Sequence, residues 1–212
     1  MLKLIVFDCD GVLFDSKKAN CMYYNHLLSH FGLAPMCKSE EDYVHMSNVA
    51  DSVKHIFRRY TVPTLSEVQA FMRLCEYEPF LQYMVMEEDL LEFLEITSKK
   101  YHLAISTNRT NTMIPLLNSY RLGNYFGKVV TAATAKRPKP APDGLLEILA
   151  YFSCKPEETV FIGDSIIDEQ HAKSCEVPLI AFKNPGLQAD YHVNGFLEIL
   201  KLPPFQSTII SQ

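Results

Sequence analysis

The stretch FDCDGVLFDS, residues 7 to 16, follows the short apolar run Leu4-Ile5-Val6, and its reading decides the fold. Two carboxylates, Asp8 and Asp10, stand two positions apart where a buried strand should end, and Gly11 follows them directly. Residues i and i+2 of a strand point to the same face. Asp8 and Asp10 are therefore expected to project together, with Cys9 opposite. Gly11 permits a backbone path that most residues resist. Asp-x-Asp-Gly is also a plain turn sequence, so the pair takes its meaning from what the rest of the chain brings beside it.

Short apolar runs, each followed by polar residues or glycine, recur at residues 2–7, 102–106, 128–131, 159–162 and 178–182. Helical patterns lie between the later runs, at 87–100, 111–120, 143–151 and 169–175. The segment EEDLLEFLEITSKK (87–100) carries acids early and lysines late, the charge order that suits a helix dipole. The helix at 143 is expected to begin at Pro142-Asp143 and to end near Ser153. Continuous apolar strands alternating with helices predict a parallel sheet covered on both faces. That is the α/β doubly wound class, in which ligands lie at the carboxyl ends of the strands. Asp8 and Asp10 fall at that end of the first strand.

One region breaks the alternation. From about residue 16 to 84 no buried strand is evident, and the pattern predicts helices at 17–30, 40–60 and 65–76. Breaks fall at Gly32-Leu33-Ala34-Pro35 and at Val62-Pro63. The expected organisation is a discontinuous α/β core, 1–15 and 85–212, with an inserted all-helical cap at 16–84, because such helices must bury their stripes against one another.

Composition narrows the function. The net charge of −5 and the lack of any lysine or arginine block argue against nucleic acid or an anionic membrane as partner. The N-terminal apolar run ends in acid after a few residues, unlike a signal peptide, and no stretch nears the ~20 apolar residues of a membrane span. The six cysteines form no C-x-x-C pair, which predicts free thiols in a reducing cytoplasm.

Three further strand ends join Asp8 and Asp10. The second strand runs into Ser106-Thr107-Asn108, which offers hydroxyl and amide donors. FIGDSIID (161–168) sets Asp164 at a strand end and Asp168 at the start of a helix. The proline-stiffened AKRPKPAP (135–142) holds cations on the loop before a helix. Several carboxylates at one site repel unless a cation joins them, and an oxygen-only cluster suits Mg²⁺. Carboxylates with Mg²⁺, donors and a fixed lysine suit phosphoryl transfer.

These segments resemble the four motifs of the haloacid dehalogenase-like (HAD) hydrolases, in order: FDCDGVLFDS, STN, the Lys-Pro of RPKPAPD, and GDSIID. The phosphatases with a helical cap after the first motif, and their phosphoglycolate phosphatase-like branch, are the most similar. The resemblance implies that Asp8 is the nucleophile and Asp10 the general acid/base, with its carbonyl near the metal. Thr107 would donate to the transferring phosphate with Asn108 and Gly11 beside it, and Lys139 would orient the nucleophile, with Lys136 as the alternative. Asp164 with Asp8 would hold Mg²⁺, and Asp168 would complete the cluster directly or through water. The cap would close over the phosphate and open for product release.

The implied activity is a Mg²⁺-dependent phosphatase acting on a small phosphorylated metabolite through an aspartyl-phosphate. Asp10 separates the chain from the dehalogenases, which lack the second aspartate. A phosphomutase of the β-phosphoglucomutase type is the nearer rival, although such enzymes carry a histidine where this chain has Asn20. A non-catalytic phospholigand-binding protein is the alternative of a different class. Candidates for substrate contact in the cap are Lys17, Lys18, Asn20, Tyr23, Tyr24, His26, His45, Ser47, Asn48, Lys54 and Arg58. Ser47 and Asn48 lie in HMSNVADSV, at the position of a specificity loop, and could equally cap a helix.

Overall fold

A computed structural model of the chain describes residues 1–206 apart from Asn48. The chain divides into two compact units, one of residues 1–15 with 86 onward and the other of Ser16–Val85.

The first unit is the α/β unit. Its strands are β1 (Leu4–Phe7), β2 (Phe14–Asp15), the Met86 end of β3 (Val85–Met86), β4 (His102–Ser106), β5 (Lys128–Val130), β6 (Thr159–Gly163), β7 (Leu179–Phe182) and β8 (Tyr191–Val193). Six of them form one sheet in the order β5-β4-β1-β6-β7-β8, and every pairing is parallel. β2 and β3 are dipeptides where the chain leaves and re-enters, and there the Glu87 N–H donates to the Leu13 carbonyl.

The sheet is apolar on both faces, as a covered parallel sheet must be. On one face Leu4, Val6, Ala104 and Phe161 pack with Leu145, Ile148 and Ala172. On the other, Phe7 meets the rings of Phe93, Phe126 and Phe196. Side-chain alternation carries the first face on through Asp8, Ser106 and Gly163. β1 is central, with Phe7 level with Ile105 of β4 and with Ile162 of β6. The chain runs outward through β4 and β5 and returns to β6, so β1 and β6 border the topological switch point, where such sheets bind ligands.

Helices α5 (Leu90–Thr97), α6 (Met113–Ser119), α7 (Asp143–Phe152), α8 (Ile166–Ser174), α9 (Phe196–Ile199) and α10 (Pro203–Gln206) complete this unit, after α1 to α4 of the other. Helix α7 starts at Asp143 as expected and ends on Ser153 in the left-handed conformation (φ 53°). Helix α8 begins three residues earlier than its apolar pattern suggested. Ser165 caps it, accepting from the Asp168 N–H, and Asp168 closes the capping box. The three-residue β8 has no apolar run to announce it.

The helical unit contains α1 (Lys17–His30), α2 (Lys38–Met46), α3 (Val49–Phe57) and α4 (Leu65–Met72). Its core gathers Tyr23, Tyr24, Leu27, Leu28, Val53, Ile56, Phe57 and Val68. One helix was expected over 40–60, but two form. Ser47 is extended (φ −120°, ψ 153°) and ends α2, and its carbonyl accepts from the Ser52 hydroxyl. Serine competes with the helix in this way. Among the described residues, no helix is long and apolar enough to cross a membrane, and all six cysteines are free.

Candidate active site

The edge formed by the carboxyl ends of β1, β4 and β6 gathers the motif residues. Asp8 is held there by its N–H, which donates to the Ile162 carbonyl at 2.9 Å. After it the chain turns tightly, and the Cys9 carbonyl accepts from the N–H groups of Leu13 and Phe14. Gly11 sits at φ +77°, and a Cβ there would stand 2.0 Å from Asp164 Oδ2. Only glycine lets Asp164 come this close. Gly163 is held to the same rule, since its Cβ would lie 2.4 Å from that of Asp168. Gly11 thus makes room for an acid, and its N–H, expected near phosphate, donates to the Phe14 carbonyl at 2.8 Å.

Asp8, Asp164 and Asp168 each place one oxygen within 4.8 Å of the others. Lys139 enters this group with its side chain almost wholly buried, its Nζ 2.8 Å from Asp8 Oδ1 and 2.6 Å from Asp168 Oδ1. One ammonium therefore faces three carboxylates. Burial pushes Asp8 up to about 7, reinforced by Asp168. Burial, then Asp8 and Asp168, pushes Asp164 up to about 8. Burial alone would lower Lys139, but the two carboxylates overcome it and hold the ammonium firmly charged. Burial opposes ionisation of Asp168 too, yet Lys139 and the Ser165 donors keep it below the usual carboxylate range. A buried, oxygen-only set in which three carboxyl groups crowd one ammonium, two of them pushed upward by burial and one another, fits a hard divalent cation that would hold them ionised.

Asp168 stands in the acidic cluster, where it was expected as a ligand directly or through water. Its oxygens also accept hydrogen bonds: Oδ1 from Lys139, and Oδ2 from the Ser165 hydroxyl at 2.6 Å and the N–H groups of Asp164 and Ser165. Its position is that of an anchor for Lys139 and the β6–α8 turn. The side-chain carboxylate of Asp10 lies outside the three-carboxylate group; it was the backbone carbonyl that was expected near the metal.

Asp10 is instead gripped by Arg109, a residue that the sequence reading passed over. Arg109 Nε donates to Asp10 Oδ2 at 2.8 Å and Nη2 to Oδ1 at 2.7 Å, a planar two-point fork. Nη1 donates to the Thr112 hydroxyl. Thr107 is buried at the end of β4. Its Oγ1 accepts from the Arg109 N–H at 3.2 Å, which leaves the hydroxyl proton free to be donated. The Asn108 amide, expected near phosphate, donates to the Lys139 carbonyl at 3.1 Å and so fastens the lysine turn. Asn184, also unforeseen, donates to the Asp164 carbonyl at 2.7 Å.

The helical unit places its candidates differently. Arg58 donates to Oε1 of the buried Glu40 at 3.1 Å, and also to the His55 carbonyl, so it is a structural partner rather than a free cation. Ser47 terminates α2 and does not start a helix, and Asn48 lies outside the described residues. Tyr23 and Tyr24 are core. Asn20 accepts from the Tyr77 hydroxyl at 2.6 Å. His30 stacks on Phe71 at 3.5 Å.

Comparison with known proteins places the fold and the sequence in a family. A pyrophosphatase PpaX of Bacillus velezensis is 26% identical over 173 residues, covering 81% of this chain and 78% of its own. A phosphoglycolate phosphatase of Pseudomonas savastanoi pv. phaseolicola is 26% identical over 189 residues, covering 84% and 68%. The crystal structure of a HAD-superfamily hydrolase of subfamily IA, variant 1, from Geobacter sulfurreducens superposes with a TM-score of 0.83 at 30% identity, covering 94% of this chain and 95% of that one. The family model for haloacid dehalogenase-like hydrolases matches residues 5–182. With motifs, fold and matched length in agreement, the chain belongs to the haloacid dehalogenase-like hydrolase family.

Proposed function

We propose that the protein is a Mg²⁺-dependent phosphatase that hydrolyses a small phosphomonoester through an aspartyl-phosphate on Asp8. The observation that carries this reading is the Asp8–Lys139 pair at 2.8 Å, on the strand edge beside Asp164. In the first step an Asp8 oxygen attacks phosphorus, the ester P–O bond breaks, and the leaving oxygen takes a proton from Asp10. In the second, Asp10 accepts a proton from the water that attacks phosphorus. The P–O bond to Asp8 breaks and the carboxylate is restored.

Lys139 orients Asp8 and offsets the charge of the phosphoryl oxygens, and Thr107 donates its free proton to one of them. Asp8 and Asp164 would hold Mg²⁺, which when bound lowers the negative charge of the site and of the phosphoryl group. These groups address the phosphoryl group alone. Selectivity for the leaving group is assigned to the helical unit. The relatives' names point to phosphoglycolate or pyrophosphate as first substrates to try.

The test is phosphate release from phosphoglycolate, pyrophosphate and hexose phosphates with Mg²⁺, for the wild type and Asp8→Asn. The expected outcome is turnover by the wild type that falls at least a thousandfold in the variant. Turnover surviving in Asp8→Asn would remove the covalent mechanism. An isomerised sugar phosphate without phosphate release would indicate a phosphomutase, and binding without turnover a phospholigand-binding protein.

A further inference from the structure

His171 is fully buried on α8, on the sheet face that also carries Asp8 and Ser106. The reaction as proposed does not use it. Its Nδ1 lies 2.8 Å from the Ala141 carbonyl and its Nε2 lies 2.9 Å from the Ser106 hydroxyl. A carbonyl only accepts, so Nδ1 carries the proton and donates it. Nε2 then accepts from Ser106. Burial, and next the nearby Lys139 ammonium, lower this histidine to about 4, so the ring is neutral and this tautomer persists at neutral pH.

Both partners adjoin residues of the active site. Ser106 directly precedes Thr107. Ala141 closes the turn that presents Lys139, its N–H donating to the Pro138 carbonyl at 3.0 Å. The turn is therefore fastened at two carbonyls: that of Lys139 by Asn108, and that of Ala141 by His171. Both fasteners tie it to the Ser106-Thr107-Asn108 strand end. The rings of Phe161 and His171 form a T-shaped pair with centroids 5.5 Å apart, and the Lys139 ammonium lies 5.6 Å from the Phe161 ring centroid. An apolar side chain could fill the space, but it would leave the Ala141 carbonyl and the Ser106 hydroxyl without this partner. Buried polar groups that are fully satisfied fix one geometry where apolar packing allows several.

We propose that His171 is a positioning residue that sets the distance between the phosphate-binding end of β4 and the Lys139 turn. The proposal rests on the phosphatase reading for its effect on rate, but not for its effect on Lys139. The first measurement is steady-state hydrolysis of p-nitrophenyl phosphate with Mg²⁺ by His171→Ala, His171→Asn, Ser106→Ala and the His171→Ala/Ser106→Ala double variant. A displaced catalytic group costs on the order of a hundredfold. The expected result is a ten- to hundredfold lower kcat in His171→Ala with KM within about threefold.

His171→Asn, which keeps a donor for Ala141, should recover part of the loss. The double variant should be no worse than His171→Ala, because the two side chains act as one unit. Should His171→Ala fail to fold, Ser106→Ala and His171→Asn carry the test. The second measurement is the ¹H–¹⁵N resonance of the buried Lys139 ammonium, assigned with Lys139→Met. It should move in His171→Ala and Ser106→Ala. If the wild type hydrolyses nothing while this resonance moves, the phosphatase reading fails and the positioning role stands. An unmoved resonance, or Ser106 and His171 losses that simply multiply, would overturn the proposal.

Discussion

Arg109 fixes the geometry of Asp10 more tightly than any other contact to that residue. Its fork takes both carboxylate oxygens, and the Arg109 side chain is itself buried. For Asp10 to deliver a proton, one of those oxygens must leave the fork. Loss of the fork should therefore disturb proton transfer rather than attack by Asp8. In Arg109→Ala, hydrolysis of an alkyl phosphate, whose leaving oxygen needs a proton, should fall about 10- to 100-fold in kcat. p-Nitrophenyl phosphate needs no acid, so it should still phosphorylate Asp8 and give a burst of p-nitrophenol ahead of slow turnover. Arg109→Lys should behave like the alanine variant, because an ammonium cannot make the planar two-point contact. Rapid-quench kinetics reads the burst, and an Arg109→Ala enzyme that gives no burst with p-nitrophenyl phosphate would refute this division of labour. The sequence could not announce Arg109: Asp10 lies 99 positions away, and an arginine after Ser-Thr-Asn looks like any loop cation. Asp8 and Asp164 were legible because a carboxylate at the end of an apolar run is anomalous wherever it occurs.

At the scale of elements, the strongest local device in the helical unit is the start of α2. Glu40 Oε2 accepts from the Cys37 N–H at 3.1 Å and closes the capping box, while Oε1 takes Arg58 and Arg59. Burial raises the cost of this charge, but the Cys37 N–H and the two arginines more than compensate and lower the pKa. Glu40→Ala should destabilise the helical unit by about 2 kcal/mol, below the full cost of breaking a buried pair because both arginines are partly exposed. Glu40 contributes above its unfolded pKa and loses its contribution as pH falls through the carboxylate range. The gap between wild type and variant should therefore narrow toward pH 3. Amide exchange in α2 and α3 measures it, and unchanged protection would refute the assignment.

The split between α2 and α3 was not legible, because the apolar pattern runs across it and the extended Ser47 that ends α2 carries no distinctive signal. The parallel strands were legible, since burial on both faces writes itself as an unbroken apolar run. β8, three residues with one exposed, writes no such signature.

At the scale of the whole molecule, the proposed Mg²⁺ site at the acidic edge of the sheet predicts a stability that depends jointly on pH and metal. In the fold, Asp8 and Asp164 keep their protons up to about 7 and about 8, whereas in the unfolded chain they release them near 4. Their folded pKa values are raised. The stability they contribute is complete below the unfolded pKa and is lost as pH rises through about 7 to 8. Glu40, Glu67 and Asp168 are shifted down and act in the opposite sense. A plain pH profile therefore mixes the two, and the difference between profiles with and without Mg²⁺ isolates the cluster. A divalent cation needs the carboxylates deprotonated. At pH 8 it replaces repulsion with attraction, whereas at pH 5 it must first displace protons. With Mg²⁺ at a hundred times its dissociation constant, stabilisation should reach about 2.7 kcal/mol at pH 8. For a chain of this size that amounts to roughly 5–10 °C in Tm, shrinking to about 1 °C at pH 5. In Asp164→Asn the Mg²⁺ increment should vanish, while the metal-free Tm at pH 8 should rise as one buried like charge is removed. Scanning calorimetry at the two pH values decides it. A Mg²⁺ increment of the same size at pH 5 and pH 8, or one that survives Asp164→Asn, would separate cation binding from this cluster.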